Sequence, residues 1–436
     1  GKLAAQCGLR GVQPLRRTCD LAAVHDRTKN FNLAMVQRHT ISNLNENNTI
    51  KYFPIWPATC IMRDMTDLSR TPFTPVQLQM LARQHGTPLW VYDAATVLRR
   101  IQDLQAFDTV RFAQKANSNI HLLRLMRQQG VAVDAVSPGE IQRALAAGYT
   151  AAQDARGGAH GIVFTADVLT SDTLALVLGH GIPVNTGSVD MIHQLGRAAP
   201  GSQHPVWLRI NPGFGHGHSN KTNTGGEHSK HGIWHTEVPV ALAAIREHGL
   251  QLYGLHMHIG SGVDYGHLEQ VCLSMVDLIK ATGADVQAIS AGGGLSIPYR
   301  PGGDRIDTAH YFGLWDAARQ AVAAHLGHAV HLEIEPGRYL VAEAGVLLAE
   351  VRATKWQGSQ HFTLVDAGFS DLMRPAMYGA HHEMSIVPAQ GDDHARPTRP
   401  TVVAGPLCES GDVFTQAEGG VVLTRDLPAA QVGDLL

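Results

Sequence analysis

The chain repeats one pattern eight times: a short apolar run of β type, then a segment with the apolar period of a helix. One longer polar excursion follows the fifth run. Eight such units over about 240 residues predict a (β/α)8 barrel. A doubly wound open sheet is the alternative, because sequence does not show whether a sheet closes. The predicted strands are 110–114, 131–136, 162–165, 183–185, 206–210, 252–258, 286–290 and 330–334.

The sequence changes character on both sides of the predicted barrel, which spans 94–338. Closely spaced β-type runs at 340–354, 361–366 and 401–404 predict an antiparallel β domain over 339–436. Residues 66–93, with a predicted helix at 75–85 and a strand at 88–92, are expected to contribute to that domain. Residues 1–65 have no sustained apolar period, so we expect a poorly ordered, non-homologous extension, with Met62 or Met65 as the natural start.

The composition is that of a globular enzyme, with 44% hydrophobic and 17% charged residues. A formal net charge of -3 gives no electrostatic reason to expect nucleic acid or an anionic membrane as a partner. No apolar run approaches the roughly 18 residues of a membrane span. The cysteines are too few and too scattered for a disulfide framework, which favours a cytoplasmic location. They are Cys7, Cys19, Cys60, Cys272 and Cys408.

Residues able to do chemistry follow several of the predicted barrel strands. In a (β/α)8 barrel the carboxyl ends of all strands meet at one mouth, so these residues are expected to converge. They are Lys115 after the first strand, Arg209 in the fifth, His258 in the sixth, Gly292, Gly293 and Gly294 after the seventh, and Glu335 after the eighth.

This set matches what pyridoxal phosphate requires of a protein. A lysine half-sheltered at a barrel mouth can lose its proton and form a Schiff base. The triple glycine lets backbone N–H groups approach a phosphate closely, and Gly337 and Arg338 lie after the next strand. Glu335 would pair with a protonated ring nitrogen, and His258 would stack on the ring. Each residue alone also has an ordinary structural explanation.

Histidines near the fifth and sixth strands raise the alternative of a metal site. Metal-dependent barrel hydrolases usually carry an H-x-H pair after the first strand, whereas here the pair follows the sixth. The polar excursion also lacks a fixed ligand spacing. We therefore expect no metal. The histidines concerned are His216, His218, His228 and His231 in the excursion, and the pair His256 and His258.

A second group of reactive side chains lies in the predicted β domain. The turn at 405–412 contains Cys408, Glu409 and Asp412, and a thiol in such a place can deliver a proton to a carbanion. Upstream, Arg374 and Tyr378 follow a short polar loop at 366–371. So many polar side chains together suggest a site rather than a structural loop.

Seven motifs occur in order along the chain: FAQKA at 112–116, NPGFGHGH at 211–218, SKHGI at 229–233, HIGSG at 258–262, GGG at 292–294, EPGR at 335–338 and CESGD at 408–412. In this order they resemble the diaminopimelate decarboxylases of proteobacterial type, a family of fold-type III pyridoxal-phosphate enzymes related to the ornithine and arginine decarboxylases. The resemblance runs from about Leu68 to the last residue. It implies an alanine racemase-like barrel followed by an antiparallel β domain. It also implies decarboxylation of meso-2,6-diaminopimelate to L-lysine and CO₂, the final step of lysine biosynthesis.

The resemblance implies a role for each candidate residue. Lys115 carries pyridoxal 5'-phosphate as a Schiff base, His258 stacks on its ring, and Cys408 protonates the carbanion after CO₂ leaves. The Cys408–Glu409 loop reaches the site of a neighbouring subunit, which implies a homodimer. The other implied cofactor ligands are Ser261, Gly292, Gly293, Gly294, Glu335, Gly337, Arg338 and Arg209, and the implied substrate ligands are Arg338, Arg374, Tyr378 and Glu409.

The chain departs from the family pattern at its end. It stops at Leu436, whereas the family continues into further strands that include a tyrosine of the site, so we expect an incomplete β domain with an open sheet edge. Two alternative functions stay open beside the active decarboxylase, and the departure at the chain end motivates the first of them. One is an inactive fragment that binds cofactor or a partner subunit, and the other is a metal-dependent barrel hydrolase.

Overall fold

The computed structural model describes residues 33–38, 52–54, 72–152, 159–215, 223–258, 260, 264–300, 302–303, 305–390 and 396–436. The strands are β1 (Leu33–Arg38), β2 (Tyr52–Pro54), β3 (Leu89–Asp93), β4 (Thr109–Ala113), β5 (Ala132–Ala135), β6 (Ile162–Ala166), β7 (Val184–Thr186), β8 (Pro205–Asn211), β9 (Ile233–Trp234), β10 (Gln251–Met257), β11 (Ala288–Ser290), β12 (His331–Ile334), β13 (Gly345–Leu348), β14 (Val351–Gln357), β15 (Gln360–Val365), β16 (Thr398–Ala404) and β17 (Arg425–Pro428).

The α-helices are α1 (Pro75–His85), α2 (Ala94–Gln102), α3 (Ile120–Gln128), α4 (Pro138–Ala146), α5 (Ser171–His180), α6 (Val189–Ala198), α7 (Val238–His248), α8 (Tyr265–Thr282), α9 (Thr308–Leu326), α10 (Arg338–Val341) and α11 (Arg374–Tyr378). Short 3-10 turns lie at Gln114–Ala116, His235–Glu237 and Glu418–Gly420.

The parallel strands close into a barrel. Strands β4, β5, β6, β7, β8, β10, β11 and β12 pair in that order, and β12 pairs back to β4 through Glu333 with Thr109 and Ile334 with Val110. This closure confirms the predicted (β/α)8 barrel and excludes the doubly wound sheet. The two-residue strand β9, which the sequence did not predict, extends the sheet beside β8.

Polar caps fix where the barrel helices begin, and therefore how long the loops at the mouth are. Asn119 accepts from the backbone N–H groups of the first turn of α3, and serines, threonines and aspartates do the same for other helices. Each cap satisfies N–H groups that have no partner inside the helix. The other caps of this kind on barrel helices are Asp93, Ser137, Thr170, Ser188, Asp264 and Asp307.

The seam where the barrel closes contains a buried ion pair. Arg111 Nη2 on β4 lies 2.7 Å from Glu333 Oε2 on β12, and each side chain is only 1% exposed. Arg111 Nη1 also donates to the backbone oxygen of His160, 2.8 Å away. Because a buried charge without a partner is costly, this pairing holds β12 beside β4 in one register.

Outside the barrel, four-stranded sheets in the orders β13-β3-β1-β2 and β14-β15-β16-β17 form the β layer. The second sheet is mixed rather than wholly antiparallel, because β15 and β16 pair in parallel. Residues 366–397 separate these two strands, which leaves room for the chain to return and run in the same direction. The predicted β run at 340–354 is also divided, since its start belongs to α10 and the rest forms β13 and β14.

Two strands, β1 and β2, lie within residues 1–65, for which the sequence predicts a poorly ordered extension. Strand β1 pairs antiparallel with β3 and with β2, and so covers an edge of the sheet that β3 would otherwise expose. The rest of residues 1–65, including Cys7, Cys19, Cys60, Met62 and Met65, lies outside the described part. No helix among the described residues is both long enough and apolar enough to cross a membrane.

Candidate active site

A cavity of about 1900 Å³ lies between the carboxyl ends of the barrel strands and the β layer. It brings together most of the residues selected from the sequence, although these are separated by up to 263 positions along the chain. Loops after β4, β10, β11 and β12 supply one wall, and the segment around α11 supplies the other. The predicted site residues that line it are Lys115, His258, Gly293, Gly294, Glu335, Gly337, Arg338, Arg374 and Tyr378.

Lys115 lies on the 3-10 turn that follows β4. Its neighbour Gln114 is fully buried and donates from Nε2 to the backbone oxygen of Glu140, 2.9 Å away in α4, which anchors the turn. Lys115 itself is exposed to the open cavity, not half-sheltered as the sequence suggested. The difference arises because Lys115 faces a wide cavity, and the width of a barrel mouth is not visible in the sequence.

Glu335 is held by hydrogen bonds to both of its carboxylate oxygens. His256 Nε2 lies 2.9 Å from Oε2, and Ser290 Oγ donates to Oε1 at 2.9 Å. Burial by itself would raise the pKa of Glu335, but His256, the Arg111 guanidinium and the Ser290 hydrogen bond outweigh it and lower the pKa to about 2. Glu335 is therefore a fixed carboxylate anion in a largely dry place.

The triple glycine after β11 packs against its surroundings with no room for side chains. A Cβ on Gly293 would lie 2.5 Å from the backbone oxygen of Glu335, and one on Gly294 would lie 2.4 Å from that of Gly260. Gly292 is just as confined, because its Cβ would meet the His258 side chain at 2.6 Å. The bare backbone can thus approach a ligand as closely as a phosphate site requires.

Comparisons with known proteins agree with this geometry. Residues 94–342 match the family model described as "Pyridoxal-dependent decarboxylase, pyridoxal binding domain". The diaminopimelate decarboxylase of Streptomyces coelicolor is 63% identical over 360 residues, covering 83% of this chain and 80% of the relative. That of Escherichia coli K12 is 62% identical over 368 residues, covering 84% and 86%. The chain belongs to the diaminopimelate decarboxylase family.

Solved structures of the family have the same fold. A crystal structure of diaminopimelate decarboxylase aligns with a TM-score of 0.80 at 60% identity, covering 87% of each chain. The diaminopimelate decarboxylase of Helicobacter pylori, crystallised as a complex with L-lysine, aligns with a TM-score of 0.69 at 28% identity, covering 82% of this chain and 86% of that one. The barrel and β layer described above are therefore those of the family.

Of the other predicted cofactor ligands, Arg209 and Gly292 do not line the cavity. Arg209 lies on β8, only 8% exposed, and burial lowers its pKa although Asp167, Glu335 and Asp134 act in the opposite direction. His258 lines the cavity and is half-buried, and burial together with Arg209 and Lys115 lowers its pKa well below the usual value. The imidazole is therefore neutral at pH 7. Ser261 lies outside the described residues.

Cys408 and Glu409 do not line the cavity of their own chain. They are exposed on the loop after β16. The conformation of this loop is fixed by Asp412. The Asp412 carboxylate is 3% exposed and accepts from the backbone N–H of Phe369 at 2.7 Å and of Leu407 at 2.8 Å. The loop is therefore fixed by hydrogen bonds to Asp412, and the Cys408 and Glu409 side chains on it are exposed.

Two of the histidines that suggested a metal site, His231 and His256, each lie beside a carboxylate. His231 Nδ1 lies 2.6 Å from Asp167 Oδ2, and His256 is the partner of Glu335. His216 and His218 lie outside the described residues. Among the described residues, the one group of three side chains spaced to hold a metal is His193, Glu247 and His248 on α6 and α7, whose residues do not line the cavity.

Sequence reasoning missed Asp134, which lines the cavity at the end of β5. The side chain is 2% exposed, and its Oδ1 has no hydrogen-bond partner among the described residues. Burial and the nearby Glu335 carboxylate raise the pKa of Asp134 to about 8, although Lys115 opposes the shift. A lone aspartate in a predicted apolar strand was the available signal, because such a residue is rare unless paired.

Proposed function

We propose that this chain decarboxylates meso-2,6-diaminopimelate to L-lysine and CO₂ with pyridoxal 5'-phosphate, the final step of lysine biosynthesis. The observation that carries the proposal is one cavity that joins a lysine, an ionised carboxylate and a glycine cradle to the arginines Arg338 on α10 and Arg374 on α11. Family membership gives the reaction, and this cavity provides a place for each part of it. When bound, the cofactor supplies an electron sink for the electron pair that remains when CO₂ leaves.

The residues present fit the cofactor. Gly293 and Gly294 form a cradle that a Cβ would fill, which leaves their backbone open to a phosphate group. Lys115 Nζ would hold the cofactor covalently and would exchange it for the substrate amine. Glu335, kept anionic by His256 and Ser290, would accept a hydrogen bond from the protonated ring nitrogen and keep the proton there. The neutral His258 ring would pack against the cofactor ring.

The part of the cavity around Arg338 and Arg374 would bind the amino acid group of the substrate that is not decarboxylated. Arg338 and Arg374 both line the cavity, and a substrate with an amino acid group at each end brings a second carboxylate that guanidinium groups bind well. Tyr378 at the end of α11 would add a hydroxyl there. The relative from Helicobacter pylori binds L-lysine, the proposed product.

Cys408 would donate the proton that replaces CO₂ on the substrate carbon. Because Cys408 and Glu409 face outward on a firm loop, we propose that the loop enters the cavity of a second copy of the chain and that the functional unit is a homodimer. The free thiols of Cys272 and Cys408 are in keeping with the proposed cytoplasmic location. Nucleic acid and membrane have no proposed role.

A CO₂-release assay on meso-diaminopimelate tests the proposal. The purified chain with added cofactor should release CO₂ and form lysine in equal amounts, and Lys115→Ala should do neither. The wild-type protein should also bind the cofactor in a form that borohydride fixes covalently at Lys115. Covalent fixation without CO₂ release would favour the inactive, cofactor-binding fragment. Metal-dependent hydrolysis with no fixation would favour the barrel hydrolase.

A further inference from the structure

Tyr299 lies at the centre of a cationic cluster on the wall of the cavity. The Cζ atom of Arg374 is 4.4 Å from the centroid of its ring, and that of Arg338 is 5.6 Å away. The ring of His382 meets the same tyrosine edge to face, with centroids 5.4 Å apart. All four side chains line the cavity, and neither Tyr299 nor His382 was selected from the sequence.

Neither guanidinium group has a carboxylate partner among the described residues. In the part of the chain that the structure describes, no aspartate or glutamate lies within ion-pair distance of Arg338 or Arg374. The nearby Glu343 is instead 2.5 Å from Arg100 and 3.6 Å from Arg305. Because like charges repel, such a pair needs another source of negative potential, and the face of an aromatic ring supplies one.

His382 holds Arg374 without neutralising it. Arg374 Nη1 donates to His382 Nε2 over 3.0 Å, and the Tyr299 side chain also forms a hydrogen bond with the guanidinium. Burial and the Arg374 charge lower the pKa of His382 to about 4, so the imidazole is neutral at pH 7 and can accept this bond. A carboxylate in the same place would fix the guanidinium equally well but would compete with an anionic ligand.

We propose that Tyr299, supported by His382, is a positioning residue that sets the Arg338 and Arg374 guanidinium groups to receive the second carboxylate of the substrate. The cluster thereby selects for substrates that carry a carboxylate at the end remote from the reaction. This inference rests on the proposed roles of the two arginines and adds to them the residue that keeps their guanidinium groups side by side.

Two variants of the holoenzyme distinguish the role of the Tyr299 ring from that of its hydroxyl group. Tyr299→Leu removes the ring, so KM for meso-diaminopimelate should rise about 5- to 30-fold while kcat changes less than about twofold. Tyr299→Phe keeps the ring, so its rise in KM should be at least about threefold smaller than that of the leucine variant. The dissociation constant of L-lysine, measured by calorimetry on the holoenzyme, should rise in parallel with KM.

Matched controls make the test decisive. Trp356→Leu removes an exposed aromatic ring on β14, remote from the cavity, and should leave KM and kcat unchanged. Arg374→Gln tests the role on which the inference rests. If Arg374→Gln raises KM but Tyr299→Leu does not, the inference is wrong and the proposed function stands. If Arg374→Gln has no effect, the proposed carboxylate site is wrong.

Two further outcomes also count against the inference. An equal effect of Tyr299→Phe and Tyr299→Leu would assign the role to the hydroxyl, and a fall in kcat alone would indicate a merely structural tyrosine. If Tyr299→Leu does not fold, Tyr299→Met replaces it, because methionine fills similar space without a ring. The same rise in KM is expected for that variant, and an unchanged KM would overturn the proposal.

Discussion

His256 Nε2 lies 2.9 Å from Glu335 Oε2, across the barrel interior between β10 and the end of β12. His256 is only 1% exposed, and its Nδ1 has no hydrogen-bond partner among the described residues. Because a carboxylate can only accept, Nε2 must carry the proton of this bond. The histidine therefore fixes both the orientation and the ionisation of the residue that we expect to face the cofactor ring nitrogen.

Replacing His256 should weaken cofactor binding. His256→Leu removes a buried hydrogen bond to a charged group, so the dissociation constant of pyridoxal phosphate should rise about 10- to 100-fold. Absorbance titration of the apoprotein measures it. His361→Leu, which removes a buried histidine from β15 outside the cavity, is the control and should leave cofactor affinity unchanged. An unaltered affinity in His256→Leu would mean that Ser290 alone suffices.

Adding a single methyl group to the glycine cradle should also reduce cofactor affinity. Gly294 has a φ of +100°, and its Cβ would lie 2.4 Å from a backbone oxygen, so Gly294→Ala must shift the loop and should weaken binding by at least about tenfold. Gly283 also has a positive φ, of +64°, but lies in open space at the end of α8. Gly283→Ala should cost about 1 kcal/mol of stability and leave cofactor affinity intact. Equal affinities in the two variants would contradict the cradle.

The proposed acid and the proposed dimer are tested together. Cys408→Ala should keep the borohydride-fixable cofactor but lose about 10²- to 10⁴-fold in turnover. Mixing inactive Lys115→Ala with Cys408→Ala subunits, followed by unfolding and refolding, should restore up to about a quarter of the activity, because some dimers then contain one intact site. Cys272→Ala, a buried cysteine of α8, should turn over normally. Failure of the mixture to recover activity would place both residues in one chain's site.

Asp134 should make the stability of the apoprotein depend on pH. Its pKa in the folded state is raised from 3.8 to about 8, so its contribution is fully present below pH 3.8 and is lost as pH rises through about 8. Relative to wild type, Asp134→Asn should gain roughly 1 to 3 kcal/mol of stability between pH 5 and pH 8. Urea unfolding at both values measures this gain. Asp316→Asn on α9 should show none, and a flat difference for Asp134 would contradict the raised pKa.

The sequence predicted the parts of the fold that depend on local pattern. The strand at 162–165 and the helix at 75–85 follow from periodicity and caps within a few residues, and the structure reproduces both closely. The place of Lys115 followed in the same way, because a residue that ends a barrel strand must lie at the mouth. The division of 340–354 into α10, β13 and β14 did not follow, since packing against the barrel overrides the strand preference of that segment.

The sequence by itself determined the eight βα units and the positions of Lys115, the triple glycine and Glu335 at the ends of strands. Each of these follows from the residues next to it along the chain. Tertiary structure alone decided that β12 returns to β4, that His256 pairs with Glu335, and that Tyr299 lies beside two arginines. Each of these pairs joins residues 39 to 224 positions apart. Such contacts are set by the register of the closed barrel and by the packing of the β layer against it, and no local periodicity encodes either.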